Sequence, residues 1–111
     1  MTENNEFNKS EIILLAEAVN YSEKGVISKT VLKKEAGNIS LFSFDKGEGL
    51  SEHSAPFDAL VQVVDGNAEI IIDKKSYNLS SGEIIIMPAN IPHALKATEK
   101  FKMLLVMIKS V

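Results

Sequence analysis

The chain has no cysteine, which excludes disulfide staples, thiolate nucleophiles and cysteine-held zinc or iron–sulfur centres; any metal would rest on nitrogen and oxygen donors. It has no basic stripe either. The doublets Lys33-Lys34 and Lys74-Lys75 are short and lie among acidic or polar residues in a chain of net charge −3, so nucleic acid is not an expected partner. Long hydrophobic runs are missing. The apolar stretch Ile12 to Ala16 follows a polar start, MTENNEFNKSE, and is too short for a signal-peptide core or a membrane span. The expected compartment is therefore the cytoplasm, with no membrane partner. No repeat, low-complexity tract or linker interrupts the 111 residues, a length that supports one hydrophobic core. No serine is framed as a nucleophile elbow, since Ser51 and Ser54 fall in a predicted loop.

What is present reads as strand after strand. Early in the chain Ser10 caps a predicted short helix or turn, with Ile12, Leu15, Ala16 and Val19 at helical spacing. From Val26 onward, β-branched and aromatic runs alternate with turn residues at intervals of roughly 8–12 residues, the rhythm of a sandwich or barrel. The predicted strands are Ile27–Lys33, Ile39–Phe44, Ala59–Val64, Ala68–Ile72, Ser76–Leu79, Ile84–Met87 and Phe101–Ile108. Turns are expected at Glu35 to Asn38, Asp45 to Gly49, Asp65-Gly66-Asn67 and Ser80 to Gly82, and Pro88 and Pro92 bracket a loop. The run FKMLLVMIK is apolar on both faces, so it is either a core strand or one covered by a second subunit, and a homodimer is the expected assembly.

Two glycine-framed segments, GEGLSEHSAPFDALVQVVDG from Gly47 and GEIIIMPANIPH from Gly82, each carry one of the only two histidines, His53 and His93. A small barrel uses such spacing to aim both imidazoles at one interior point. The pattern resembles the cupin family, small single-domain barrels of the double-stranded β-helix (jelly-roll) type, over roughly the last two thirds of the chain. The family's first motif is a glycine, five residues, His-x-His, three or four residues, a glutamate, six residues and a glycine; Gly47, His53 and Gly66 match it. Its second is a glycine, five residues, a proline, x-Gly, two residues, a histidine, three residues and an asparagine. Gly82, Pro88 and His93 match, with Asn90 in the glycine place, where asparagine is tolerated because it too visits left-handed backbone angles. The resemblance implies an all-β cupin barrel over 25–111, with 1–24 an extension packed on the barrel or on a partner.

Two departures fall on residues that bind metal in the family, Ala55 standing where its second histidine belongs and Ala59 where its glutamate belongs, and Ala97 replaces the final asparagine of the second motif. His53 and His93 remain as metal donors. A zinc, nickel, iron or manganese site would need a third, and Asp58 or Gln62 are the candidates on offer, with Glu48 and Glu52 in the approach loop. By strand alternation Asp58 and Gln62 face away from the barrel interior, although Asp58 precedes the predicted strand, just after Pro56, where the turn could still bring it inward. Replacing an imidazole and a carboxylate by two alanines is expected to enlarge the interior and make it less polar. That favours a pocket for a small, mostly apolar molecule, lined by His53, His93, Phe57 and Met87. Phe42, Phe44, Tyr77, Met103 and Met107 are expected to be core for the most part. Three readings stay open: a small-molecule-binding barrel with an eroded metal site; a metal-dependent enzyme of dioxygenase, isomerase or decarboxylase type; and a dimer whose function is its surface. Acid–base chemistry by the two imidazoles alone needs no metal and is a variant of the second.

Overall fold

A computed structural model describes residues 6–109. Among the described residues eight strands form: β1 (Val26–Lys34), β2 (Gly37–Phe44), β3 (Gly49–His53), β4 (Phe57–Ile72), β5 (Lys75–Ser80), β6 (Ile84–Met87), β7 (His93–Lys96) and β8 (Phe101–Lys109). All pairings are antiparallel. They make two sheets that share β4. The larger runs β1-β2-β8-β4-β6 and the smaller β3-β7-β4-β5. The architecture is the all-β barrel expected from the strand rhythm.

One expected turn is not a turn. Asp65-Gly66-Asn67 lies inside β4, which runs unbroken for 16 residues where the sequence predicts two strands. The register against β8 shifts between Val63 and Asp65, and Gly66 sits at φ 79°. The strand therefore bends without reversing. Its first part pairs with β8 and β6 and its second with β5 and β7, so a single bulge carries one strand from sheet to sheet. The strands β3 and β7, neither of which was expected, are the ones that carry the histidines.

Inward residues alternate along each strand and meet in one core: Val61, Val63, Ile70, Met103, Phe44 and Phe101 are fully buried. Phe44 stacks on Phe101 with centroids 4.6 Å apart. The expected helix after Ser10 is a single 3₁₀ turn, Leu15–Glu17, and Ser10 sits at φ 61° in place of capping a helix. The carbonyls a helix would use are taken by side chains of the barrel. Lys102 Nζ donates to the Ala16 oxygen, Lys29 Nζ to that of Ala18 and Ser43 Oγ to that of Asn20. Tyr21 Oη donates to Asp65 Oδ2 beside the β4 bend, and burial together with that carboxylate raises the phenol's pKa. The segment is a strap laid across the outer face of the larger sheet, with Val19 as its buried anchor. Among the described residues no helix is long and apolar enough to cross a membrane.

Candidate functional site

The two histidines face each other directly. His53 ends β3, His93 begins β7, and they are register partners; their ring centroids lie 4.4 Å apart at 67°, edge to face. Leu50 pairs with Leu95 and His53 with His93, so three steps along β3 match two along β7. Strict alternation from Leu50, which lines the interior, would turn Glu52 inward and His53 out. The extra residue re-aims the strand and puts His53 on the face of His93.

Each imidazole is held by a backbone carbonyl two residues before it. His53 Nδ1 lies 2.9 Å from the Ser51 oxygen and His93 Nδ1 lies 3.1 Å from that of Ile91. A carbonyl only accepts, so Nδ1 carries the hydrogen in both rings, and the neutral form of each leaves a bare lone pair on Nε2. No described residue bonds either Nε2. The loop before His93 is pinned as well: Asn90 takes the left-handed backbone, φ 64°, that its place in the motif requires. Its amide donates to the Ala55 oxygen at 2.7 Å, and the Ala89 amide donates to Asp58 Oδ1 at 2.8 Å.

Around the pair the cavity is apolar, lined by Leu50, Ala55, Phe57, Ala59, Met87 and Leu95, with Met103, Leu105 and Met107 from β8. Phe57 and Met87 are where the sequence reading puts them. Asp58 and Gln62 are not among the lining residues: alternation turns both away, and Asp58 serves the loop that positions His93. The two alanines do line the cavity, yet its volume is only about 40 Å³, room for roughly two or three waters. The enlarged interior expected from Ala55 and Ala59 is filled by methionine and leucine side chains from β8, which alternation on that strand marks only in retrospect.

The donor set does not fit a transition metal. Zinc takes at least three protein ligands and non-haem iron two histidines with a carboxylate, whereas the described residues contain no cluster of three His, Cys, Asp or Glu. Burial lowers the pKa of His93 from its usual 6.5, the Ile91 carbonyl partly opposing this and His53 adding to it. As pH falls through 6.5 the unfolded chain takes up a proton here that the folded chain resists. This site's contribution to stability is therefore intact above that pH and declines toward the depressed folded pKa. Urea unfolding between pH 8 and 5 should show the loss, and His93→Gln should flatten it.

These features are those of the cupin domain family, whose model matches residues 40–109, and the chain belongs to that family. It is similar to a Streptococcus pyogenes protein, SPY1581, described as a conserved protein of unknown function, at 39% identity over 100% of this chain and 97% of that one, with a TM-score of 0.91. A cupin 2 conserved barrel domain protein from Leptotrichia buccalis is 46% identical over 85% of this chain, which spans 46% of its length, with a TM-score of 0.83. A cupin superfamily protein from Desulfitobacterium hafniense is 27% identical over 99% of this chain and 100% of its own, with a TM-score of 0.86. No curated protein matches the chain.

Proposed function

We propose that this cupin binds a small organic molecule, an apolar body bearing one hydroxyl or N–H donor, against His53 and His93, at a site that has lost its metal-holding function. The observation that carries this reading is the acceptor pair. Two imidazoles, His93 buried and His53 exposed, each with Nδ1 committed to a backbone carbonyl, line a cavity otherwise made of Leu, Met, Phe and Ala and leave Nε2 without a partner among the described residues. A neutral His93 favours a donor over an anion, and the chain contains no arginine to grip a carboxylate or phosphate from two sides. Methionines 87, 103 and 107 supply adaptable packing, so the cavity opens by rotamer changes as the ligand enters.

Phenol and benzene are the probes that separate the polar pole from the apolar body. In heteronuclear NMR titrations both should shift the methyl signals of Leu50, Met87 and Met107, with phenol binding about tenfold tighter, the worth of one hydrogen bond of about 1.5 kcal/mol. His93→Ala should remove that difference and leave benzene binding in place. Equal affinities for the two probes in the parent protein, or no shifts at the cavity, would overturn the reading.

A further inference from the structure

Among the described residues one buried side-chain oxygen has no hydrogen-bond partner, Asn38 Oδ1 on β2. Register places it beside the cavity. Lys33, Asn38, Met107, Ala59 and Met87 pair in one row across β1, β2, β8, β4 and β6, and directly opposed residues of antiparallel strands share a face. Met107, Ala59 and Met87 line the cavity, so Asn38 faces inward with them. Met107 stands between the amide and the cavity, and exposed Lys33 ends the row at the sheet edge. Asn38 as a whole is half-buried, and the oxygen is its sheltered end. A carbonyl oxygen taken out of water and left unpaired costs folding free energy. Leucine would pack on Met107 without that cost, and an asparagine kept for structure would show its oxygen bonded to a neighbour.

We infer, on the footing of the binding proposed at the histidine pair, that Asn38 is the second polar pole of that site and sets the class of its ligand: an elongated molecule, apolar along its middle, with a hydroxyl or N–H donor at each end. One donor meets a histidine Nε2 and the other meets Asn38 Oδ1. The oxygen is an acceptor, as the two Nε2 atoms are, so both poles select the same kind of group. The cavity of about 40 Å³ holds no organic molecule of this size until a side chain moves. Met107 is the side chain placed to move. It is unbranched and adaptable, and it is half-buried where Met87 and Met103 are fully packed. Swinging it aside extends the cavity along the row and joins it to the unpaired oxygen. From Ala59 to Asn38 is two strand spacings, about 10 Å, which fixes the separation of the two donors at roughly that length.

Two probes with the same apolar body test this, 4-phenylphenol with one hydroxyl and 4,4′-dihydroxybiphenyl with a second at the far end. In heteronuclear NMR titrations of the full chain the diol is expected to bind at least about fivefold tighter, the worth of one further hydrogen bond, and to shift the side-chain amide signals of Asn38. Asn38→Leu should abolish that preference and raise the urea midpoint of the ligand-free protein, because the unpaired oxygen is gone. Asn38→Ala reads the same preference should leucine crowd Met107. Equal affinities in the parent, an Asn38 amide unmoved by the diol, or a preference that survives in the variants overturns the proposal. So does a midpoint that falls in Asn38→Leu, which would mark the amide as structural. Phenol separates this pole from the first: phenol bound at the cavity while neither biphenyl binds means that Met107 does not yield, and overturns this proposal alone. No binding of phenol or of either biphenyl overturns the histidine-pair proposal and this one with it.

Discussion

Gly66→Ala is expected to destabilise the barrel by about 3 kcal/mol or more, whereas Gly82→Ala, at a similar backbone angle, costs about 1–2 kcal/mol. Both glycines have positive φ, 79° at Gly66 and 93° at Gly82, so both substitutions incur the same left-handed penalty. They differ in what a Cβ would meet. At Gly66 it would fall 2.1 Å from the Lys100 oxygen and 2.9 Å from Phe101 Cα, while at Gly82 nothing lies within 4 Å. The contacted atoms at Gly66 are backbone of the segment entering β8, which is locked by Phe101 in the core, so relief requires breaking the β4–β8 pairing at the bend. That bend is what allows β4 to serve both sheets. Urea unfolding of the two variants gives the comparison, and equal costs would mean that β4 and β8 do not approach each other closely at the bend.

Ala55→His combined with Ala59→Glu is expected to confer about one nickel or zinc per chain, read by elemental mass spectrometry after incubation with the metal and dialysis, with the unsubstituted chain retaining far less. Both alanines line the cavity beside His53 and His93, at the places where the cupin pattern has its second histidine and its glutamate. The pair would complete a four-donor set with correct ligand types. The cost is crowding. Ala59 is 5% exposed and is the register partner of both Met87 and Met107, so the new carboxylate displaces methionine side chains at about 1–3 kcal/mol, which bound metal should more than offset. A folded variant that holds no metal would mean that Ala55 and Ala59 are not vacated ligand positions.

The barrel was legible because its punctuation is local. Glycines, prolines and β-branched runs each act within a few residues, and the Asn90 conformation follows from its own side chain. The misses share another cause. GLSEH of β3 and HALK of β7 are short and poor in β-branched residues, and they are strands because they pair with each other and, in β7, with β4. Gly66 has turn chemistry, but its neighbours on β8 and β5 keep the chain extended through it. The helical period of Ile12 to Val19 lost to lysine and serine donors from strands far along the chain. At the site, the motif spacing located both histidines and the two alanines that line the cavity beside them. The register slip that faces His53 toward His93, and the methionines that fill the space beside the alanines, depend on contacts between strands that no local signal carries.

In the proposed function the acceptor pair sets what the cavity would bind, and nitrogen-15 NMR of the two imidazoles, in ligand-free protein at mildly alkaline pH, tests it most directly. The expected result is the same tautomer in both rings, Nδ1 protonated against the Ser51 and Ile91 carbonyls and Nε2 bare, with the Nε2 resonances moving when phenol is added. A proton found on Nε2 of either ring would contradict it, because the cavity would then present a donor where an acceptor is required.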